Sequence, residues 1–528
     1  MSIKDWVLNK IKFNKHRFNI KKAAFMYDLS WFSIRPLIFL IFSPKYYNTE
    51  FAEKLKGPLI IAANHKSFID PWIICGNLPF RSKLFPIIWL ADEKFFKMPI
   101  ISFVVRAYSS LQIKRGIGLE KALKEAVHYL KEEKVNIGIF PEGKIVFDPD
   151  KIEIFKRGVG FLYKETKIPI LPIAVRFTKK FELLDLITRK NKVYVYFGRP
   201  IYNFDFQGED LTEISNYLRE EVKDLFDIYD YYVRIDDKEL NLEKPSLLFR
   251  LLHSCLIFIL NSKIFSFLVK KLTQEGKIVS QNPGLALSME VVYTLDKKNI
   301  FSLKSFNDLA VFIFDRILFQ TKALRNRLKI VKKLLKESLL EIQSKNEIKI
   351  LSLGGGSLRS VLSAIAEINN PKLVNKVEIV SVDRDLRSEE LIEKVKKELG
   401  LENIKIKILG IDSLEFLKNI EKNTQTKFDI VEVIGLIDYL KEDIVIKKLN
   451  LIYNIMKDKG FLILSNIAPN NEAKFLENIN WPHLYYRNVV DLVYILKNTP
   501  FKKASKIIEE PIGFHNIIYY VKNKNEAA

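Results

Sequence analysis

Cysteine is almost missing from this chain. Two occur in 528 residues, Cys75 and Cys255, both inside apolar runs. That inventory excludes a disulfide framework and a cysteine-built zinc site, and it fits a reducing cytoplasm. No metal is expected. A continuous apolar run of membrane-spanning length is also missing. The segment "WFSIRPLIFLIFS" (31–43) is interrupted by Arg35 and Pro36. The segment "PSLLFRLLHSCLIFILNSKIFSFLVKKL" (245–272) is interrupted by Arg250, His253, Asn261 and Lys263. A span needs about 20 apolar residues, so both read better as interfacial or core helices. The first twenty-five residues mix charge with aromatics and lack a continuous apolar core, so no signal peptide is expected. Internal repeats and low-complexity linkers are absent too. Acid is scarce relative to base: Asp and Glu number 63, Lys and Arg 85, for a formal charge of +22. Such a field favours anionic partners, although abundant surface lysine is the plainer reading of the same surplus. No DNA-binding motif or RNA-type aromatic strand appears, so no nucleic-acid partner is expected. Anionic lipid headgroups and phosphorylated substrates remain.

What is present divides the chain. Its length implies two or three domains. Residues 1–44 combine Lys10, Lys12, Lys15, Arg17, Lys21 and Lys22 with an aromatic, apolar stretch. This suits a peripheral seat on an anionic membrane, or equally a helix packed on the protein's own core. Residues 45–235 alternate short apolar strands ("PLIIAAN", "NIGIFP", "PILPIAVRF", "KVYVYFG") with helical stretches such as "GLEKALKEAVHYLKEEK", which predicts an α/β domain. Residues 236–345 carry Leu, Phe and Lys at helical spacing and no strand runs, predicting a helical connector or cap. Residues 346–528 alternate again, through "IKILSL", "VEIVSVD", "IKIKILG", "FDIVEVIG", "GFLILSNI" and a closing pair, "SKIIEE" and "NIIYYVK".

In "IIAANHKSFIDPWIICG" (60–76) a polar pair interrupts the apolar run, and Asp70 follows His65 by five residues. A turn between them lets the carboxylate meet one ring nitrogen, fix the tautomer and stabilise the imidazolium. The pair then works as base and orienter, without a protein nucleophile, wherever the substrate brings its own hydroxyl. A helix-capping histidine is the alternative. Downstream, "LQIKRG" (111–116), "GIFPEGK" (138–144), "FKRGVGFL" (155–162) and "IPILPIAVRF" (168–177) follow in order. Glu142 stands at a strand's C-terminal edge. Arg115 and Lys156 supply cations for a phosphate, Arg115 with bidentate capacity.

Over residues 40 to about 200 this set resembles the glycerolipid acyltransferase family, the bacterial lysophosphatidic acid acyltransferases and their relatives. The family's HxxxxD block falls on His65 to Asp70, preceded by Asn64. Its phosphate-binding arginine falls on Arg115, its Phe-Pro-Glu-Gly block on Phe140, Pro141, Glu142 and Gly143, and its proline-containing fourth block on Leu171, Pro172 and Ile173. The resemblance implies His65 and Asp70 as catalytic residues, and Asn64, Arg115, Glu142, Gly143, Lys144 and Lys156 around the substrate. It implies a lysophospholipid or glycerol phosphate acceptor and an acyl thioester donor, on CoA or on an acyl carrier protein. The chain departs where Thr-Arg-Ser usually follows Glu-Gly: Lys144, Ile145 and Val146 stand there instead. Lys144 replaces a positive charge without the arginine fork.

A second site is signalled by "IKILSL" running into "GGGSLRS" and a helix. Glycines at a strand-to-helix turn bring backbone amides close to a ligand. Asp383 ends the next strand, where a carboxylate suits ribose hydroxyls, and Asp412 ends the third, placed for an adenine edge. Arg359 sits where a dinucleotide fingerprint needs its third glycine, which counts against NAD. With the closing hairpin, residues 346–528 resemble the class I S-adenosylmethionine-dependent methyltransferases. The resemblance implies S-adenosylmethionine on Gly354, Gly355, Gly356, Asp383 and Asp412, with Leu358 in place of the third glycine and Ser352 in place of the acidic residue usual before them. "GLIDYL" (435–440), "WPHLYYR" (481–487) and "FDRILFQTKALRNRLKIVKKLL" further resemble methyl ester synthases of hydroxy fatty acids. That branch implies a fatty acyl carboxylate acceptor, with Arg325, Arg327 and Arg487 as candidate partners. A solvated basic helix and a strand-edge ion pair are the competing readings of those arginines. His253, His483 and His515 have no legible partner and read as structural. Cys75 reads as a packing residue.

The expectation is therefore an α/β protein with an acyltransferase domain, a helical connector and a Rossmann-like methyltransferase domain. It is expected to be cytoplasmic and peripheral on the inner face of a membrane, a bifunctional lipid-modifying enzyme. One catalytic half with a regulatory partner, and a non-catalytic lipid and nucleotide sensor at the membrane surface, stay open.

Overall fold

The computed structural model describes residues 20–523 apart from 183, 189, 205–209, 236–238, 273, 295–314, 316 and 423–425. The basic residues Lys10, Lys12, Lys15 and Arg17 lie outside the described residues. The chain divides into two compact units, residues 1–230 and 231–528. The helices of 236–345 thus belong with the second sheet and do not form a third body.

The first unit is built on seven strands: β1 (Lys45–Tyr47), β2 (Ile60–Ala63), β3 (Ile87–Asp92), β4 (Leu111–Ile113), β5 (Asn136–Ile139), β6 (Ile170–Phe177) and β7 (Val193–Phe197). Their order is β1-β7-β6-β2-β5-β3-β4. Pairing is parallel throughout except between β6 and β7. β2, β5 and β6 are buried at every position, because helices cover both faces and leave no side for an alternating polar residue. The sequence reading anticipates β2, β5, β6 and β7. It does not identify β1, β3 and β4 as strands, and β1 and β4 are three-residue edges.

The helices Ile20–Phe32 and Ile34–Phe42 each bury one face in this core, through Tyr27, Ile38 and Phe42. Their other face leaves Phe25, Leu29, Phe32, Leu37 and Leu40 exposed. The core-packing alternative thus describes one face of these two helices, and their other face is apolar and exposed.

The second unit holds β8 (Tyr232–Arg234), β9 (Ile348–Leu353), β10 (Val377–Val382), β11 (Lys405–Leu409), β12 (Phe428–Ile434), β13 (Met456–Ile467), β14 (Lys506–Glu509) and β15 (His515–Val521). The order is β11-β10-β9-β12-β13-β15-β14-β8. The five strands β9 to β13 run parallel, and β15 turns antiparallel between β13 and β14. Strand order reverses between β9 and β12, the crevice where open α/β sheets bind ligands. The helix Phe319–Ile342 packs on this sheet through Val331, Leu335 and Leu339. Assigned in sequence to the acyltransferase domain, residues 232–234 instead extend the second sheet by pairing with β14.

Candidate active sites

The first site sits at the C-terminal ends of β2, β3, β4 and β5. His65 leaves β2 just before the helix Asp70–Cys75, so the turn at 66–69 folds Asp70 back onto it. His65 Nδ1 lies 2.8 Å from Asp70 Oδ2. The same oxygen accepts from the backbone amides of Lys66 (2.6 Å) and Ser67 (2.9 Å), and the Ser67 hydroxyl donates to Oδ1 at 2.5 Å. Asp70 is 0% exposed. A buried carboxylate held by this many donors cannot rotate, and as an acceptor it takes the Nδ1 proton of the ring, which leaves Nε2 facing the cavity. The imidazole stacks on Phe140 at 3.9 Å, and Phe140 stacks on Trp89 at 4.7 Å, which fixes the ring plane. His65 keeps 15% of its side chain exposed and opens onto a cavity of about 1080 Å³. Trp72, Trp89, Ile101, Val104 and Phe147 give that cavity its apolar walls.

The expected substrate residues separate into two groups. Arg115, Gly143, Lys144 and Lys156 line the cavity with His65. Arg115 is 61% exposed yet held: Nε pairs with Asp92 at 2.7 Å and Nη2 donates to the Gly143 carbonyl at 2.8 Å. Its other donors remain for an anion. Gly143 has φ +64°, and a Cβ there would come within 2.8 Å of Lys156 Nζ, so the glycine lets that ammonium close on the turn. Lys144 is on the rim, 3.4 Å from Glu153.

Asn64 and Glu142 are not among the residues that line the cavity. Asn64 is 0% exposed and spends both side-chain groups on Val175, donating to its carbonyl at 2.9 Å and accepting from its amide at 2.7 Å. It staples the end of β2 to β6. Glu142 is 1% exposed, with one oxygen taken by the His65 amide at 2.6 Å and the other by the Glu153 amide at 2.8 Å. Burial pushes its pKa up against those two bonds. Its work is to hold the His65 backbone and the 142–153 loop together. Val146, one of the departures, donates its amide to the His65 carbonyl at 2.7 Å, so the loop closes without the usual polar side chains.

Sequence reasoning misses Lys66. It is 2% exposed, and its ammonium reaches the carbonyls of Asp148 (2.7 Å) and Lys151. Burial lowers its pKa to about 8. It ties the residue after His65 to the loop that carries Glu153.

The second site is at the switch point. Gly354 (φ +69°) and Gly356 (φ +53°) turn the chain from β9 into the helix Arg359–Ile368. Asp383 stands beside this loop, but its Oδ2 accepts from the Gly356 amide at 2.9 Å and its Oδ1 from the Asp385 amide at 2.9 Å. It braces the glycine loop. Asp412 caps the helix Ser413–Glu421, accepting from Leu414 and Glu415 amides at 2.8 and 3.1 Å, and pairs with Arg384. Burial pushes its carboxyl up, but those amides, Lys448 and Arg384 hold it below the usual range. Both aspartates nonetheless line a cavity of about 630 Å³ with Gly354, Gly355, Gly356 and Glu432.

Glu432 is not anticipated. It lies on β12 in register with Ser352 on β9. Its carboxylate, 2% exposed, accepts the Ser352 hydroxyl at 2.8 Å and the Ser360 hydroxyl. A carboxylate thus stands beside Ser352 from the neighbouring strand, a relation of sheet register that no linear motif displays. Burial pushes its pKa up, against the two hydroxyl bonds and the nearby Arg327 guanidinium.

The expected arginines diverge. Arg325 is held by Glu243, bidentate at 2.8 Å, and by Asp315 at 2.6 Å, through Nε and Nη2. Arg487 donates to the carbonyls of Ile437 and Leu440 and to Asn466 Oδ1. Neither is among the residues that line the cavity. Arg327 alone faces the cavity, 3.8 Å from Asp438 and 3.3 Å from the Tyr293 hydroxyl. Among the described residues its buried Nε has no hydrogen-bond partner, nor have Gln320 Oε1 and His515 Nδ1, both on residues of the same lining. Gln320 and His515 touch at 3.1 Å. Burial, then Arg327, drives the His515 pKa well below its ordinary value, so the ring is neutral. Burial raises Asp438 to about 6. His253, read as structural, is buried and bonded to Glu472 at 2.8 Å. Cys75 is buried.

Arg359, seen in sequence only as a missing glycine, grips Glu290 through three contacts of 2.8 to 3.0 Å, and Ser357 joins it at 2.6 Å. These bonds hold the helix Ala286–Thr294 beside the glycine loop, where Ala286, Met289 and Tyr293 form part of the cavity wall.

Comparison with known proteins follows this division. Tafazzin of Drosophila melanogaster is 27% identical over 32% of this chain and 47% of its own length. The 1-acyl-sn-glycerol-3-phosphate acyltransferase of Saccharomyces cerevisiae is 24% identical over 35% of this chain and 61% of its own. The chain spans roughly half the length of these curated relatives. Among solved structures, the magnesium protoporphyrin IX methyltransferase of Synechocystis with bound S-adenosylmethionine aligns at 13% identity over 47% of this chain and 98% of that one, with a TM-score of 0.30. At that score the second fold is read from its own sheet order. The family model described as Acyltransferase matches residues 43–176, the stretch that contains His65, Asp70, Arg115 and Glu142.

Proposed function

We propose that the chain is a two-site lipid-modifying enzyme. The first unit transfers an acyl group from acyl-CoA or an acyl carrier protein to a hydroxyl of a lysophospholipid or glycerol phosphate. The second is a methyltransferase dependent on S-adenosylmethionine and acting on a lipid or fatty acyl acceptor.

The observation that carries the first part is the His65–Asp70 pair at 2.8 Å, opening on an apolar cavity whose rim bears Arg115 and Lys156. His65 Nε2 takes the proton of the acceptor hydroxyl. The oxygen attacks the thioester carbonyl, the tetrahedral intermediate collapses and the carbon–sulfur bond breaks. The imidazolium, stabilised by Asp70, returns its proton to the departing sulfur. Arg115, aimed by Asp92 and the Gly143 carbonyl, holds the acceptor's phosphate with Lys156. The apolar walls take the acyl chain. Exposed Phe25 and Phe32 and the basic residues before them seat this unit on the anionic inner face of a membrane.

For the second part, S-adenosylmethionine would be held by the Gly354–Gly356 turn, by Asp383 and Asp412 along the nucleoside, and by Glu432 at its cationic amino-acid end. The fit rests on the glycine turn and on a buried carboxylate that meets only hydroxyls. Bound there, it supplies an electrophilic methyl group. Arg327 would seat the acceptor's carboxylate, and positioning with exclusion of water would carry the rate.

The test uses wild type and His65→Ala with a lysophospholipid panel, labelled acyl thioesters and methyl-labelled S-adenosylmethionine, with both labels followed by lipid mass spectrometry. Acyl label in phospholipid, lost in His65→Ala, is the expected result. A folded wild type that acylates no acceptor sinks the first part, and one that methylates no lipid or free acid sinks the second.

A further inference from the structure

We propose that the second unit carries its own membrane seat, the helix pair Leu247–Leu260 and Lys263–Leu272, and that these helices lie in the plane of an anionic bilayer. The inference is independent of which acceptor is methylated. A surface helix normally buries one apolar stripe and shows a polar one. The helix Leu247–Leu260 does otherwise. Its inner face, Leu256, Ile257 and Leu260, belongs to a packed core. Its outer face is apolar as well: Leu247 is 75% exposed, Phe258 86%, and Leu248, Leu251 and Ile259 follow the same helical period. In the second helix Ile264 (74%), Phe267 and Leu268 are exposed between Lys263 and Lys271. An apolar patch of this extent marks an interface.

Length and charge identify the occupant. The two helices have 14 and 10 residues, about 21 and 15 Å at 1.5 Å per residue, short of a hydrocarbon core of roughly 30 Å. They meet at a 94° bend, so they do not cross as one rod. Residues 244–272 contain five Lys and Arg and no Asp or Glu. A second copy of this face would set Lys263 and Lys271 against their own like, whereas anionic headgroups neutralise them while the apolar side chains enter the acyl layer. The inner face adds a consequence. Leu260 and Val269 pack with Phe475, Leu476, Ile479 and Leu484, and these four line the 630 Å³ cavity. The membrane-facing helices therefore roof the acceptor site, and an apolar acceptor is within one helix layer of the lipid that would deliver it.

Cys255 gives a direct test, since it is exposed on this face while Cys75 is buried. An environment-sensitive fluorophore is attached to Cys255 in the full chain, with Cys255→Ser as the labelling control. Vesicles of phosphatidylcholine with phosphatidylglycerol are added, with and without nitroxide on the acyl chains. The expected result is a blue-shifted, brighter emission that the nitroxide quenches, and partitioning weakened roughly tenfold or more in Phe258→Glu and Ile264→Glu. Emission that stays water-like with anionic vesicles overturns the proposal, even where the chain floats with them, because another face then makes the contact. A shift that needs no vesicles and grows with protein concentration also overturns it, in favour of self-association.

Discussion

The two sites solve the problem of a charged group in opposite ways. In the first unit the anion is buried and the cations are at the rim. Asp70 is fully enclosed and saturated, while Arg115 and Lys144 are about three-fifths exposed. In the second unit both signs are inside: Glu432, Asp438 and Arg327 are each nearly inaccessible, and three polar atoms of Gln320, Arg327 and His515 lack hydrogen-bond partners among the described residues. On the function proposed above, the first arrangement pre-organises a base and leaves phosphate recognition to a wet, adaptable edge. The second has paid the desolvation cost in advance and recovers it only when a ligand brings the complementary groups.

That contrast can be broken by experiment. His65→Ala is expected to cut acyl transfer by about 10²–10⁴-fold, the usual contribution of a positioned base, and to leave methyl transfer untouched; parallel rate assays of both labels read it. Equal loss of both activities would show that the sites are not separate. In the second site, Glu432→Gln should weaken S-adenosylhomocysteine binding by roughly 10–100-fold while leaving 5′-methylthioadenosine, which lacks the amino-acid end, unchanged by titration calorimetry. Loss of both ligands would mean a collapsed pocket instead. Arg115→Lys keeps the charge but not the fork, and should raise KM for a phosphate acceptor about tenfold with little change in kcat. Asn64→Ala removes two buried hydrogen bonds and should cost the first unit about 1–3 kcal/mol, seen as a lower melting temperature with the second unit's transition in place.

The smallest effect concerns pH. The His515 pKa in the fold lies well below its ordinary 6.5. The unfolded chain therefore takes up a proton near that value while the folded one does not, so this group's stabilisation is complete above it and falls as pH drops below it. Asp438, raised to about 6, acts in the opposite sense from about pH 6 downward. The clean window is just above about pH 6, where His515→Gln should flatten the slope of the second unit's melting temperature.

Much of this was legible in the chain. The His65–Asp70 spacing, Arg115 and the glycine turn at 354–356 all declare themselves because each is local: a few residues fold back on themselves. Most of what was misread depends on a distant partner. Asn64 bonds Val175 across 111 positions, and Glu432 answers Ser352 across 80. Their side chains look like ligand groups until the sheet brings the partner alongside. Arg325 and Arg487 mislead for the same reason. β8 escaped notice because three residues at the end of the helix Leu211–Tyr231 carry no strand period, and only an open edge on β14 makes them a strand.

That edge has a practical side. A gene fragment beginning at residue 346, the boundary composition suggests, would encode the glycine turn and the seven strands β9 to β15. It would also shed β8 and the helix Phe319–Ile342. The β14 ladder would stand open, and the apolar face under Val331, Leu335 and Leu339 would meet water. Such a fragment should come out of cells as aggregate, whereas one that starts at 231 keeps its selvage and its cover.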